Sequence, residues 1–339
     1  MKKTKKLLAC LIAAATMFTM GSTAFAEEVE TPTTYTDQSK VTIKKQYNLE
    51  GKGTSPAENF KFTVAKTGVS DSAITNPDDM PEISVGDIHF DENSEKTTSA
   101  SVDITLPTYP SVGVYTYTIT ETQGNTAGVT YDVNPVVLKV TVVDENGVLK
   151  RIVSLRKGNT KLSESDNAFT NTYRAGTLDI SKKVTGNLGD KNKYFAFDVT
   201  LNGQSGKNTA KSFSVDKTSY DEKNPETITT GEKTTFYLKH DETLDIKNLP
   251  YGLTYTVEEH DYTTKEEGYK TTVNKVEGRK LENQAVEKSV ESVKFVNSKN
   301  SDNIDTGINL TTLPYILVFA GVIVIAGVAF ITRRRRYED

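Results

Sequence analysis

Cysteine is almost absent from this 339-residue chain: Cys10 is the only one, and tryptophan does not occur. Cys10 directly follows a lysine-rich start, inside an apolar run that continues past it, so it reads as part of a leader. The remainder then has neither disulfides nor a thiol for catalysis. Histidine is scarce as well. His89, His240 and His260 lie far apart, without the spacing of zinc ligands. "DENG" (144–147) lacks the later ligands of a calcium loop, and no glycine-rich loop could cradle phosphate. A turnover enzyme, a cofactor and a metal centre are therefore not expected. Basic charge is in deficit too. Without the four leader lysines, the four arginines at 333–336, Glu338 and Asp339, 33 basic residues face 43 acidic ones. That balance argues against nucleic acid as a partner.

Long apolar runs occur only at the two ends. "MKKTKK", "LLACLIAAATMFTM" and "AFA" (24–26) have the cationic, apolar and small-residue regions of a secretory leader ending at Ala26. At the other end, 313–332 is an uncharged stretch long enough to span a bilayer, followed at once by "RRRR". Upstream lies "NIDTG" (303–307). A Thr-Gly pair, a spacer, an apolar span and a basic tail have the layout of a Gram-positive cell-wall sorting signal. The sequence thus divides into a signal peptide (1–26), two domains (27–174 and 175–300) and a sorting segment (301–339).

The region between is strand-like. "FKFTVAK", "VGVYTYTITE", "VVLKVTVVD", "YFAFDVTLNG", "LTYTVEE" and "YKTTVNKV" alternate polar and apolar residues and are rich in Val, Thr, Tyr and Phe. Asn-Gly at 146–147 and at 202–203 predicts hairpin turns. The expected fold is all-β, as two tandem immunoglobulin-like sandwiches. Internal similarity supports the count of two. "VTIKKQY" (41–47) matches "LDISKKV" (178–184), "GVYTYTITET" (113–122) matches "GLTYTVEEH" (252–260), and "NAFTNTY" (167–173) matches "VKFVNSK" (293–299).

Strand parity turns the repeat into chemistry. Lys45 shares a face with Val41 and Ile43, as Lys182 does with Ile180 and Val184. Glu121 follows Tyr115, Tyr117 and Ile119, and Glu259 follows Leu253, Tyr255 and Val257. Asn171 lies with Phe169 and Tyr173, and Asn297 with Val293 and Phe295. Each half therefore aims one Lys, one Glu and one Asn into its core. Burial lowers a lysine pKa and raises a glutamate pKa. A neutral amine could then attack the Asn carboxamide, with the Glu acid on the amide oxygen, relaying a proton to departing ammonia. The product would be a Lys–Asn isopeptide link, made once in each domain.

From signal peptide to basic tail, the chain resembles Gram-positive backbone pilins of the group A streptococcal type, with CnaB-type domains. The resemblance implies autocatalytic links between Lys45 and Asn171, assisted by Glu121, and between Lys182 and Asn297, assisted by Glu259. "YTITET" around Glu121 resembles the E-box of such pilins. The resemblance also implies polymerisation by a sortase, which cleaves between Thr306 and Gly307 and passes Thr306 to a lysine of the next subunit. "NIDTG" departs from the common LPXTG signal in lacking Leu-Pro. "RKGNTK" (156–161) occupies the place of the acceptor and nominates Lys161, with Lys157 and Lys150 as rivals. Implied partners are identical subunits, accessory pilins and peptidoglycan, at the cell surface. A second reading fits the same features: a wall-anchored adhesin or accessory pilin that binds a host ligand and does not polymerise.

Overall fold

A computed structural model describes residues 34–92, 97–217 and 224–301. The signal peptide, Thr306, Gly307, the apolar span and the basic tail lie outside the described residues. Among the described residues no helix is long and apolar enough to cross a membrane. The architecture is all-β, as the alternating segments predict.

The first sandwich places two sheets face to face. In one, the strand Lys40–Gly51 pairs antiparallel with Thr98–Thr105 and parallel with the start of Phe169–Thr185. The other runs in the order Thr160–Leu162, Val148–Lys157, Val136–Glu145, Gly113–Glu121 and Phe62–Ser70. Ile43, Ile104 and Phe169 from the first sheet pack against Tyr115, Tyr117, Ile119 and Leu138 from the second. Asn146 and Gly147, both at positive φ (57° and 82°), make the tight turn between Val136–Glu145 and Val148–Lys157. This is the geometry that Asn-Gly favours.

The second sandwich repeats the plan. One sheet joins Thr243–Pro250, the end of Phe169–Thr185, Val290–Ser298 and Lys270–Val273. The facing sheet has the order Lys233–Leu238, Phe195–Asn202, Thr254–Glu259 and Lys280–Ala285. Its core is built from Leu178, Ile180, Leu244, Ile246, Val293 and Phe295 against Phe197, Val199, Phe236 and Val257. The second Asn-Gly does not make a hairpin. Both flanks of Phe195–Asn202 are filled by strands from later in the chain, so after Gly203 the chain crosses to Ser212–Lys217 in the other sheet. Asn274 and Lys275, both at positive φ (50° and 71°), make a tight turn between Lys270–Val273 and Val276–Glu277 instead.

The stretch 173–177 falls inside one continuous 17-residue strand, Phe169–Thr185. Phe169, Asn171 and Tyr173 are buried within the first sandwich, Tyr173 in a second apolar cluster with Tyr47 and Phe60; Leu178, Ile180, Lys182 and Val184 point into the core of the second. Odd positions face in before the junction and even ones after it. Ala175, Gly176, Thr177 and Leu178 are buried in succession, and the register shifts between Gly176 and Leu178. A bulge moves the buried face by one residue, so a single strand closes one sandwich and opens the next.

Candidate functional site

Each domain brings its Lys and Asn together by parallel pairing of its first and last strands. In the first, Lys45 is opposite Phe169 and Asn171 opposite Tyr47. In the second, Lys182 is opposite Phe295 and Asn297 opposite Val184. The Glu comes from the facing sheet, at the end of Gly113–Glu121 or of Thr254–Glu259. All six side chains are buried, with at most 2% of any residue exposed. Burial this complete is rare for lysine and glutamate, and it is sustained here by contact between them.

In the first triad the Lys45 ammonium nitrogen is 2.6 Å from Glu121 Oε2, while Asn171 donates its Nδ2–H to Glu121 Oε1. Asn171 Oδ1 accepts from the backbone N–H of Asp132 at 2.8 Å, which fixes the amide's orientation. In the second triad Lys182 and Asn297 both bond Glu259 Oε1, the amide at 3.0 Å. Asn297 Oδ1 has no hydrogen-bond partner among the described residues. In both triads the carboxyl meets the amide nitrogen. This corrects the expectation that it would bond the amide oxygen; in the first domain that oxygen is already engaged by Asp132. The Glu is therefore aimed at the amide nitrogen.

Burial lowers Lys45 against the opposing pull of Glu121, and lowers Lys182 to about 8 against that of Glu259. It raises Glu121 and Glu259 against the pull of their lysines. All four shifts move the pairs toward neutral amine and neutral acid.

Aromatic caps close both sites and escaped the sequence reading. The Lys45 nitrogen lies 4.0 Å from the ring centre of Phe60, and the Lys182 nitrogen 4.0 Å from that of Phe195, with Phe197 at 5.6 Å. The signal was present: "FKF" (60–62) and "FAF" (195–197) recur soon after each lysine. Asp132 acts through its main chain, and no residue-type pattern reveals that. The other sequence-nominated lysines separate clearly. Lys161 is exposed on Thr160–Leu162 at a sheet edge. Lys157 contacts Asp132 and the Ala168 carbonyl, and Lys150 contacts Glu145 and the Tyr35 carbonyl. No group of His, Cys, Asp or Glu among the described residues could hold a metal ion.

Two β-sandwiches, each with a buried Lys–Glu–Asn triad on its first and last strands and the facing sheet, define a tandem β-sandwich protein with a repeated buried polar site. Residues 41–174 match the Spy0128-like isopeptide containing domain family, and residues 176–299 match a domain family of unknown function, DUF7601. The chain is 25% identical to a pilin of Streptococcus pyogenes serotype M1 over 332 residues, 92% of this chain and 96% of that protein. The crystal structure of the major pilin from Streptococcus pyogenes shares the fold, with a TM-score of 0.52 and 24% identity. That alignment covers 78% of this chain and 100% of that one. The chain is thus similar over nearly its whole length to a pilin of the group A streptococcal type, and its first domain matches the isopeptide domain family.

Proposed function

We propose that this protein is a pilin, the shaft subunit of a covalent pilus, strengthened by one internal Lys–Asn isopeptide bond in each domain. The observation that carries the reading is the doubled triad, in which a buried amine and a carboxamide on neighbouring strands meet one carboxyl group. Neutral Lys attacks the Asn side-chain carbon; a C–N bond forms, the bond to Nδ2 breaks, and ammonia leaves. The neutral carboxyl of Glu121 or Glu259 gives its proton to the departing nitrogen and takes up the one lost by the amine, so it ends as it began. The fold holds the reactants in contact, which supplies much of the acceleration.

In this reading a sortase cleaves between Thr306 and Gly307 and joins Thr306 to Lys161 of the next subunit. The last subunits are attached to peptidoglycan, with accessory pilins completing the fibre. The exposure of Lys161 and the engagement of Lys157 and Lys150 elsewhere support this choice of acceptor.

Intact mass spectrometry of residues 27–306, beside Glu121→Ala and Glu259→Ala variants, tests the cross-links. The wild-type mass should fall short of the calculated one by two ammonia molecules, and each substitution should restore one. A full calculated mass for the folded wild-type protein refutes both bonds. Ladders of covalent multimers in wall extracts, lost in Lys161→Arg, distinguish a shaft subunit from an adhesin that stays monomeric.

A further inference from the structure

We propose that Asp132 is a positioning residue for cross-linking in the first domain: its carboxylate anchors the loop so that its own backbone N–H holds the carbonyl oxygen of Asn171. The inference rests on the cross-linking reading above.

The Asp132 side chain is tied down on three sides. Oδ2 accepts from Lys157 Nζ at 2.5 Å and from the backbone N–H of Thr170 at 2.9 Å, and Oδ1 accepts from the N–H of Asn134 at 3.0 Å. Lys157 also donates to the Ala168 carbonyl at 2.8 Å. Asp132 is thus fastened to the strand that carries the electrophile, one residue from Asn171, and to the end of Val148–Lys157. A buried carboxylate is costly unless paired and hydrogen-bonded. Burial pushes its pKa up, but Lys157, Thr170 and Asn134 outweigh this and hold it low, so the group is an anionic anchor.

The consequence is electrostatic. As Lys45 Nζ bonds to the Asn171 side-chain carbon, the carbonyl electron pair moves onto Oδ1. The Asp132 N–H already lies 2.8 Å from that oxygen. A donor placed in advance where charge develops needs no reorganisation during the reaction. When the carbonyl re-forms, Nδ2 leaves on the side facing Glu121. The neighbouring charges act in both directions: Lys157 opposes protonation of Lys45 and Asp132 opposes ionisation of Glu121, while Asp132 also favours the Lys45 ammonium. The positioning role therefore rests on geometry. The second domain has no counterpart, since Asn297 Oδ1 is without a partner among the described residues.

The test follows bond formation in the newly made full chain. Cell-free synthesis is pulse-labelled and quenched in denaturant at intervals, and the cross-linked peptides of each domain are measured by mass. Asp132→Ala should slow the first domain's bond about tenfold or more, the scale of a weakened oxyanion donor. The second domain should react at its wild-type rate and serves as an internal clock. Asp132→Asn keeps acceptors for Thr170 and Asn134 and should restore most of the rate; Lys157→Met should slow it. Loss of the Asp132 charge should lower the pH–rate midpoints of the first domain, since that charge raises both Glu121 and Lys45, but the slowing should persist at the variant's own pH optimum, which a change of protonation alone would not give. A wild-type rate in Asp132→Ala overturns the inference. If that variant's first domain is protease-sensitive and unfolded, Asp132→Asn and Lys157→Met decide, and equal wild-type rates in both overturn it. A wild-type first domain that loses no ammonia overturns the cross-linking reading and this inference together.

Discussion

Lys45 and Asn171 lie on neighbouring parallel strands, on one face of the sheet and two residues out of register, Lys45 opposite Phe169 and Asn171 opposite Tyr47. Lys182 and Asn297 repeat the offset across Phe295 and Val184. The amine and the carboxamide therefore meet diagonally, and a carboxyl group from the facing sheet reaches both. A parallel pair also joins the two ends of a domain, so the proposed bonds close loops of 126 residues (45 to 171) and 115 residues (182 to 297).

Loops this long make the links strong constraints on the unfolded chain. Treated as disulfides closing about 100 residues, each contributes about 4–5 kcal/mol through unfolded-state entropy. Asn297→Ala should therefore lower the urea midpoint of the second domain by a comparable free energy, beyond the loss of one buried hydrogen bond. An unchanged midpoint would count against a link there. The stabilisation should also survive strong reductants, because an amide is not reduced by thiols.

Asn297→Ala leaves Lys182 and Glu259 unreacted, and their titration should mark its stability. The folded Lys182 pKa is lowered to about 8 from 10.5, so between those values the unfolded state binds more protons and stability rises with pH. Glu259 is raised above 4.5, so in that lower window the folded state binds more protons and stability falls as pH rises. The variant should be least stable between the two windows and recover toward pH 10. In the cross-linked wild-type protein Lys182 no longer titrates, and the alkaline recovery should be absent. Denaturant unfolding across pH measures both; recovery of equal size in both proteins contradicts the scheme.

With Lys161 as acceptor and Thr306 as donor, tension would run from Lys161 to Lys182, cross to Asn297 and leave through Thr306. Residues 183–296 then carry no load. Single-molecule pulling between positions 161 and 306 should give no lengthening step from the second domain, whereas Asn297→Ala should show one. A step of that length in the cross-linked protein rules out the path.

Gly51 ends the first strand at the junction with φ of +85°, and a Cβ there would lie 2.1 Å from the Ala175 carbonyl oxygen. Backbone cannot yield as a side-chain tip can. Gly51→Ala should cost about 1–3 kcal/mol, from strain at positive φ and forced displacement of the linking strand. Thermal unfolding reads the cost, and a midpoint equal to wild type would show that the junction can shift freely.

Much of this protein is determined by its sequence alone. Period-two alternation with Val, Thr, Tyr and Phe specifies strands whatever their partners, because side chains alternate faces along any extended chain. The recurrence of "KKQY" and "SKKV", "TITE" and "TVEE", "FTN" and "FVN" therefore singles out Lys45, Glu121 and Asn171, and Lys182, Glu259 and Asn297, from the sequence alone. Pairing is different, since it joins residues far apart in the chain. Asn202–Gly203 has the local chemistry of a hairpin, yet the flanks of its strand were taken by Lys233–Leu238 and Thr254–Glu259. The bulge in Phe169–Thr185, the aromatic caps Phe60 and Phe195, and the orientation of the Asn171 amide were likewise decided only in three dimensions. The last of these depends on a backbone N–H, which every residue but proline carries. Only the folded loop brings that of Asp132 to the Asn171 carbonyl oxygen.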